Sequence, residues 1–191
     1  MGTLKQILLY ACVAIVALAA GNYIRNNIIG GDKTPASEEA RKQGAAAILA
    51  AKLPDINDEM QAISQWQGNV LVVNFWATWC APCREEIPEF IEAQNKFGDQ
   101  GLKFVGIAID RKEKVVAYSK EFKINYPVLV GSISTMSLAV TAGNTHSSLP
   151  FTVVIDRNGA IAKTYLGRVH RDTLEDMIVP LLKAKPKEID S

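Results

Sequence analysis

Cys80 and Cys83 stand two residues apart in Asn74-Phe-Trp-Ala-Thr-Trp-Cys-Ala-Pro-Cys83. Val70 to Phe75 before them reads as a buried strand, and Arg84 to Phe97 after them as a helix with Ile87, Phe90, Ile91 and Gln94 along one face. Cys80 then falls where strand gives way to helix. Its sulfur meets unpaired backbone N–H groups and the positive end of the helix dipole. That setting favours the thiolate, the form that attacks disulfides. Cys83, one turn on and expected to be partly buried, is placed to resolve the mixed disulfide that results. Glu86 lies three residues past Cys83, where a carboxylate on the same helix can approach the dithiol and act as acid or base; Glu85 and Glu89 read as solvated.

The same cysteines have other uses to weigh. A zinc site wants four ligands, and beyond this pair the chain offers only Cys12, His146 and His170, with no second Cys-x-x-Cys and no His-x-x-x-His. Soft thiolates also suit copper(I), but neither Met nor His stands beside the pair. The expectation is therefore no metal and no cofactor beyond the Cys80–Cys83 disulfide itself. His146 reads as a surface residue and His170 as the start of the last helix.

The motif and the Arg-Glu-Glu-Ile-Pro that follows it closely resemble the thioredoxin superfamily, and within it the membrane-tethered TlpA/ResA-type thiol-disulfide oxidoreductases of bacteria. The resemblance covers about residues 45 to 182. It implies a thioredoxin-like α/β fold, a mixed β-sheet flanked by helices, with an N-terminal hairpin, a central insertion and one transmembrane helix in front. It also implies roles for particular residues. Cys80 becomes the nucleophile and Cys83 the resolving thiol. Ala81 and Pro82 set the turn and, carrying no charge, favour a reductant. Trp79 covers the dithiol and helps present it. Pro150 becomes a cis proline against the motif, where the residues alone would allow a plain strand-entry proline. The backbone of Leu149 pairs with an extended substrate. Asn74 replaces the buried Asp of thioredoxins proper, and Glu86 is paired with it to deprotonate Cys83. Peroxide reduction, a neighbouring activity, needs a Thr three residues before the reacting Cys; Thr78 is two before Cys80.

Around this centre the chain is of ordinary globular make-up: 191 residues, 48% hydrophobic, 21% charged and net charge +1. Such a balance gives no electrostatic case for nucleic acid. Ile7 to Ala20 is free of charge and follows Lys5, so residues 1–25 read as a membrane anchor, with a cleavable signal peptide as the competing reading because Ala17-Leu18-Ala19 has a small-x-small form. Residues 26–44 read as linker, 45–183 as the thioredoxin-like domain and 184–191 as a polar tail. Ala45 to Leu53 is open between helix and strand; Met60 to Ile63 reads as a short strand. Lys103–Ile109, Tyr126–Val130, Phe151–Ile155 and Ala160–Leu166 read as strands, the last two as a hairpin over Asp156-Arg157-Asn158-Gly159. Lys112–Phe122, Ile133–Val140 and Arg171–Leu182 read as helices, and Pro88 as a kink in the active-site helix. The location this implies is the bacterial inner membrane, single-pass, with the catalytic domain in the periplasm, or a soluble periplasmic protein if the leader is cut. The implied partners are disulfides of extracytoplasmic proteins, apocytochromes c among them, and a membrane thiol reductase as electron source.

Overall fold

The computed structural model of the chain describes residues 35–184 together with Tyr10. The anchor or signal peptide expected over 1–25 thus lies outside the described residues, Tyr10 apart. Among the described residues no helix is long and apolar enough to cross a membrane.

The elements in order are helix α1 (Pro35–Ala50), strands β1 (Lys52–Pro54), β2 (Met60–Ala62) and β3 (Val70–Trp76), helix α2 (Ala81–Phe97), β4 (Leu102–Ile109), α3 (Lys112–Glu121), β5 (Val128–Gly131), α4 (Met136–Thr141), β6 (Phe151–Ile155), β7 (Ile161–Leu166) and α5 (Arg171–Lys183). The second half of the expected linker, residues 35–43, is therefore helical. The stretch left open between helix and strand is both: α1 runs to Ala50 and β1 begins at Lys52. Residues 133–140 differ too, since a 3-10 turn over Ile133–Thr135 precedes the short α4.

β1 and β2 form the expected antiparallel hairpin as a sheet of their own, and the main sheet has the order β5-β4-β3-β6-β7. β3 and β4 are parallel, as are β4 and β5, while β6 runs antiparallel to both β3 and β7. Every residue of β3 is buried, because helices cover both faces of the sheet. Its side chains alternate between two cores. Val70, Val72 and Trp76 join Ile87 and Phe90 of α2, Val115 of α3 and Leu174 and Ile178 of α5. Leu71, Val73 and Phe75 join Ile48 of α1, Ile63, and Met136 and Ala139 of α4. On the first face Phe90 stacks on Phe104 with centroids 5.0 Å apart.

Gly44 explains how α1 comes so close on the second face. A Cβ there would stand 2.8 Å from the Ala142 Cα and 2.8 Å from the Thr141 carbonyl oxygen, both backbone atoms. Between β6 and β7, the Asp156–Gly159 turn is tied by Asp156 Oδ1, which accepts from the Asn158 and Ala160 amides at 2.9 and 3.0 Å. Arg157 in that turn donates to the carbonyls of Leu181, Leu182 and Ala184, so it caps the C-terminus of α5.

Candidate active site

Strand register decides what meets at the mouth of the site. Trp76 at the end of β3 lies level with Ala108 of β4, and Phe75 level with Phe151, the first residue of β6, which in turn lies level with Leu166, the last residue of β7. The segments leaving β3, β4 and β7 and the one entering β6 therefore emerge at one edge of the sheet. They carry Cys80, Asp110, Gly167–Val169 and Pro150.

Cys80 and Cys83 are joined as a disulfide, S–S 2.03 Å and Cα–Cα 5.3 Å. Cys80 is the N-cap of α2, and its sulfur accepts the Cys83 amide at 3.3 Å. The helix thus starts at Ala81, with Pro82 in its first turn, where a proline's missing N–H costs nothing. A thiol at a helix N-cap is biased toward its thiolate by the helix dipole. Cys80 is 5% exposed and Cys83 0%, so Cys83 is fully rather than partly buried. Trp79, directly before Cys80, is 67% exposed. Trp76 is buried, packed on Tyr118 at 5.4 Å between centroids. The α2 helix runs on through Pro88.

The loop before Cys80 is pinned by a residue the sequence did not single out. Asp110 Oδ2 accepts from both the amide and the hydroxyl of Thr78, at 3.1 and 2.5 Å. Partial burial pushes the Asp110 carboxyl up, but these bonds and the Arg111 amide outweigh it, and its pKa is lowered overall.

Leu149–Pro150 is a cis peptide bond. Pro150 is buried and Leu149 half-buried. The loop leading to it is closed by Asn144, 1% exposed, whose amide donates to the Ser148 carbonyl at 2.8 Å while its carbonyl accepts the Ser148 amide at 3.2 Å. His146 in that loop is exposed, and His170 is the N-cap of α5.

Glu86 is 0% exposed. Three residues past Cys83 it shares that residue's helix face, where Asn74 Nδ2 donates to its Oε1 at 2.8 Å and the Val169 amide to its Oε2 at 2.9 Å. Asn74 Nδ2 also donates to Thr152 Oγ1 at 3.1 Å. Thr152 lies opposite Asn74 in the β3–β6 register and is the second residue the sequence passed over. A lone hydroxyl within Phe-Thr-Val-Val-Ile was the available signal. Burial dominates the acidity of Glu86 and pushes it up to about 8; the Val169 and Asn74 hydrogen bonds and the charge of Arg168 pull the other way, and Glu89 pushes with burial. Glu85 and Glu89 are not simply solvated, since both pair with Arg168. Among the described residues no three His, Cys, Asp or Glu come together as a metal site.

A sheet of this order, with a disulfide at a helix start beside a cis proline, can be compared with known proteins. The model of the AhpC/TSA family matches residues 45–164. The chain belongs to the AhpC/TSA family. Among similar proteins, the thiol-disulfide oxidoreductase ResA of Bacillus subtilis is 26% identical over 163 residues, 85% of either chain. ResA of Geobacillus kaustophilus is 26% identical over 64% of this chain and 69% of its own. In fold, the chain is similar to a thiol:disulfide interchange protein of the thioredoxin family from Chlorobium tepidum, with TM-score 0.61, 27% identity, and 69% of this chain and 92% of that one covered. A DsbF homologue from Corynebacterium diphtheriae gives TM-score 0.63 at 25% identity, over 70% and 85% of the two chains. This family member is thus a thioredoxin-fold thiol-disulfide oxidoreductase.

Proposed function

We propose that the enzyme is a reductant of disulfides in proteins outside the cytoplasm. The Cys80 thiolate attacks one sulfur of the substrate disulfide, forming a mixed disulfide and expelling the first substrate thiolate. Cys83 then gives its proton to the Glu86 carboxylate and attacks the Cys80 sulfur. The enzyme disulfide forms, the second substrate thiolate leaves, and two electrons have passed from the dithiol to the substrate. Trp79 and the backbone of Leu149 beside Pro150 hold the substrate chain, and Ala81 and Pro82 leave the dithiol free of added charge. The observation that carries this reading is Glu86, a buried carboxyl one helical turn from Cys83 with its acidity tuned toward neutrality.

The likeness to ResA supports a tether in the membrane through residues 7–24, a position outside the cytoplasm and recharging by a membrane thiol reductase. Apocytochrome c is the substrate class that the resemblance suggests. Equilibration of the chain against glutathione and dithiothreitol buffers tests the direction. A potential near −270 mV, that of thioredoxin, fits a reductant, whereas one near −120 mV makes the enzyme an oxidant and overturns the reading. Carbonate washing of membranes from cells expressing the chain tests the tether: it stays in the pellet if the proposal holds.

A further inference from the structure

Three consecutive residues after β7 touch three parts of the site. The Gly167 amide, at φ +102°, donates to the Pro150 carbonyl at 2.9 Å. Arg168 forks across α2, one guanidinium nitrogen on Glu85 and the other on Glu89 at 3.1 Å. The Val169 amide donates to Glu86 Oε2. Glu85 and Glu89 are one turn apart on the face beside Glu86, and the charge of Arg168 on that pair is felt by the buried carboxyl. A left-handed φ at Gly167 is what allows successive residues to face the cis-proline loop and then the helix. We propose that Arg168 is a positioning residue for the resolving step: its fork holds the Val169 amide on Glu86 and keeps that carboxylate accessible as the base for Cys83. The inference rests on the role proposed above for Glu86.

A purely structural reading competes with it. Farther along α2, Glu92 pairs with Arg171, and Lys96 with Glu175 at 2.8 Å. Positions 85, 89, 92 and 96 form one stripe, so Arg168 could be only the first rung of a seam that fastens α2 to the C-terminal helix. The surroundings of Glu86 separate the two. From α2 it feels Glu89; from β3, Asn74; from β6, through Asn74, Thr152; from the segment after β7, the Val169 amide and Arg168; from the segment before β5, Tyr126, whose hydroxyl is itself held neutral by burial. Among these groups Arg168 supplies the positive charge. Arg171 pairs instead with Glu92, nearly two turns beyond Glu85 along α2.

The test follows both phases of the reaction between the reduced 191-residue chain and dithiobis(nitrobenzoate), from pH 5 to pH 10. The first nitrothiolate released reports attack by Cys80 and the second reports resolution by Cys83. Arg168→Gln should move the midpoint of the second phase upward by about one pH unit, the effect of removing a neighbouring opposite charge. Near pH 7 that slows the phase about tenfold, because the ionised fraction of Glu86 falls by that factor. Arg168→Lys keeps the charge without the fork and should shift the midpoint by a smaller amount. Arg171→Gln should leave it in place while lowering the melting temperature. In a Glu86→Gln background, Arg168→Gln should change nothing further. A wild-type profile for Arg168→Gln, or the same shift in Arg171→Gln, overturns the inference. If Arg168→Gln does not fold, Arg168→Lys decides, and an unmoved midpoint there overturns it too. If Glu86→Gln itself leaves the second phase untouched, the proposed role of Glu86 fails first.

Discussion

At the scale of single residues, the site assigns two identical thiols different work through what surrounds each. Cys80 caps the helix N-terminus and keeps a little exposure, whereas Cys83, within the first turn, is shut off from solvent. In the proposed mechanism Cys83 needs a base, and Glu86 is the carboxyl one helical turn away. With its pKa pushed up to about 8, about a tenth of Glu86 is ionised at pH 7, which would make the proposed base scarce but strong. Glu86→Gln should slow resolution by about 100-fold at pH 8 and flatten its dependence on pH, within the usual range for losing a general base; stopped-flow release of the second thiolate measures it. Cys83→Ser should arrest the reaction as a covalent mixed disulfide visible by mass spectrometry, while Cys80→Ser should form none. A Cys83→Ser enzyme that turns over would mean that the resolving thiol is misassigned.

Elements bring these residues to one edge, and their approach depends on small features. Gly44 lies inside a helix, where Ala is intrinsically better by about 1 kcal/mol. Its absent Cβ would, however, press on the backbone of Ala142 and Thr141. Backbone cannot swing aside as a side chain can, so Gly44→Ala should destabilise the fold by about 1–3 kcal/mol despite the gain in propensity. Denaturant titration reads the sign directly. The β3–β6 pairing is a second such feature. It sets Asn74 opposite Thr152, and through the pleat it aims both at α2. A slip of one residue would turn Asn74 into the other core and leave Glu86 without that donor.

For the whole molecule, the buried carboxyl ties stability to pH. The folded pKa of Glu86 is raised from 4.5 to about 8, so its folded state binds the proton more tightly than the unfolded chain does. This contribution is fully present below about pH 4.5, declines as pH rises through that interval, and is lost above about 8, at up to about 1.4 kcal/mol per pH unit. Asp110 has the opposite sign: its lowered pKa gives a contribution present above its unfolded value of 3.8 and lost as pH falls through the folded one. The oxidised enzyme should thus be most stable in weakly acidic solution. Thermal melts from pH 5 to pH 9 should show a falling midpoint that Glu86→Gln removes, and a flat wild-type profile would contradict the buried-carboxyl assignment.

What the sequence by itself determined was chiefly local. Cys80 to Cys83 at a strand–helix junction, the strand Val70–Phe75 and the turn Asp156–Gly159 were legible, because spacing, hydrophobic runs and turn residues act over a few positions. Glu86 was legible as a candidate because it lies one turn from Cys83. Tertiary structure decided the rest. The cis form of Leu149–Pro150 was expected from the family resemblance, since an X–Pro bond alone does not declare its isomer. Thr152, Asp110, Arg157 and Arg168 act on residues 24 to 83 positions away, through partners that only sheet register brings near. Residues 35–43, with their mixed charges, carried linker composition yet belong to α1. The acidity of Glu86 depends on burial, and burial is a property of the packed chain.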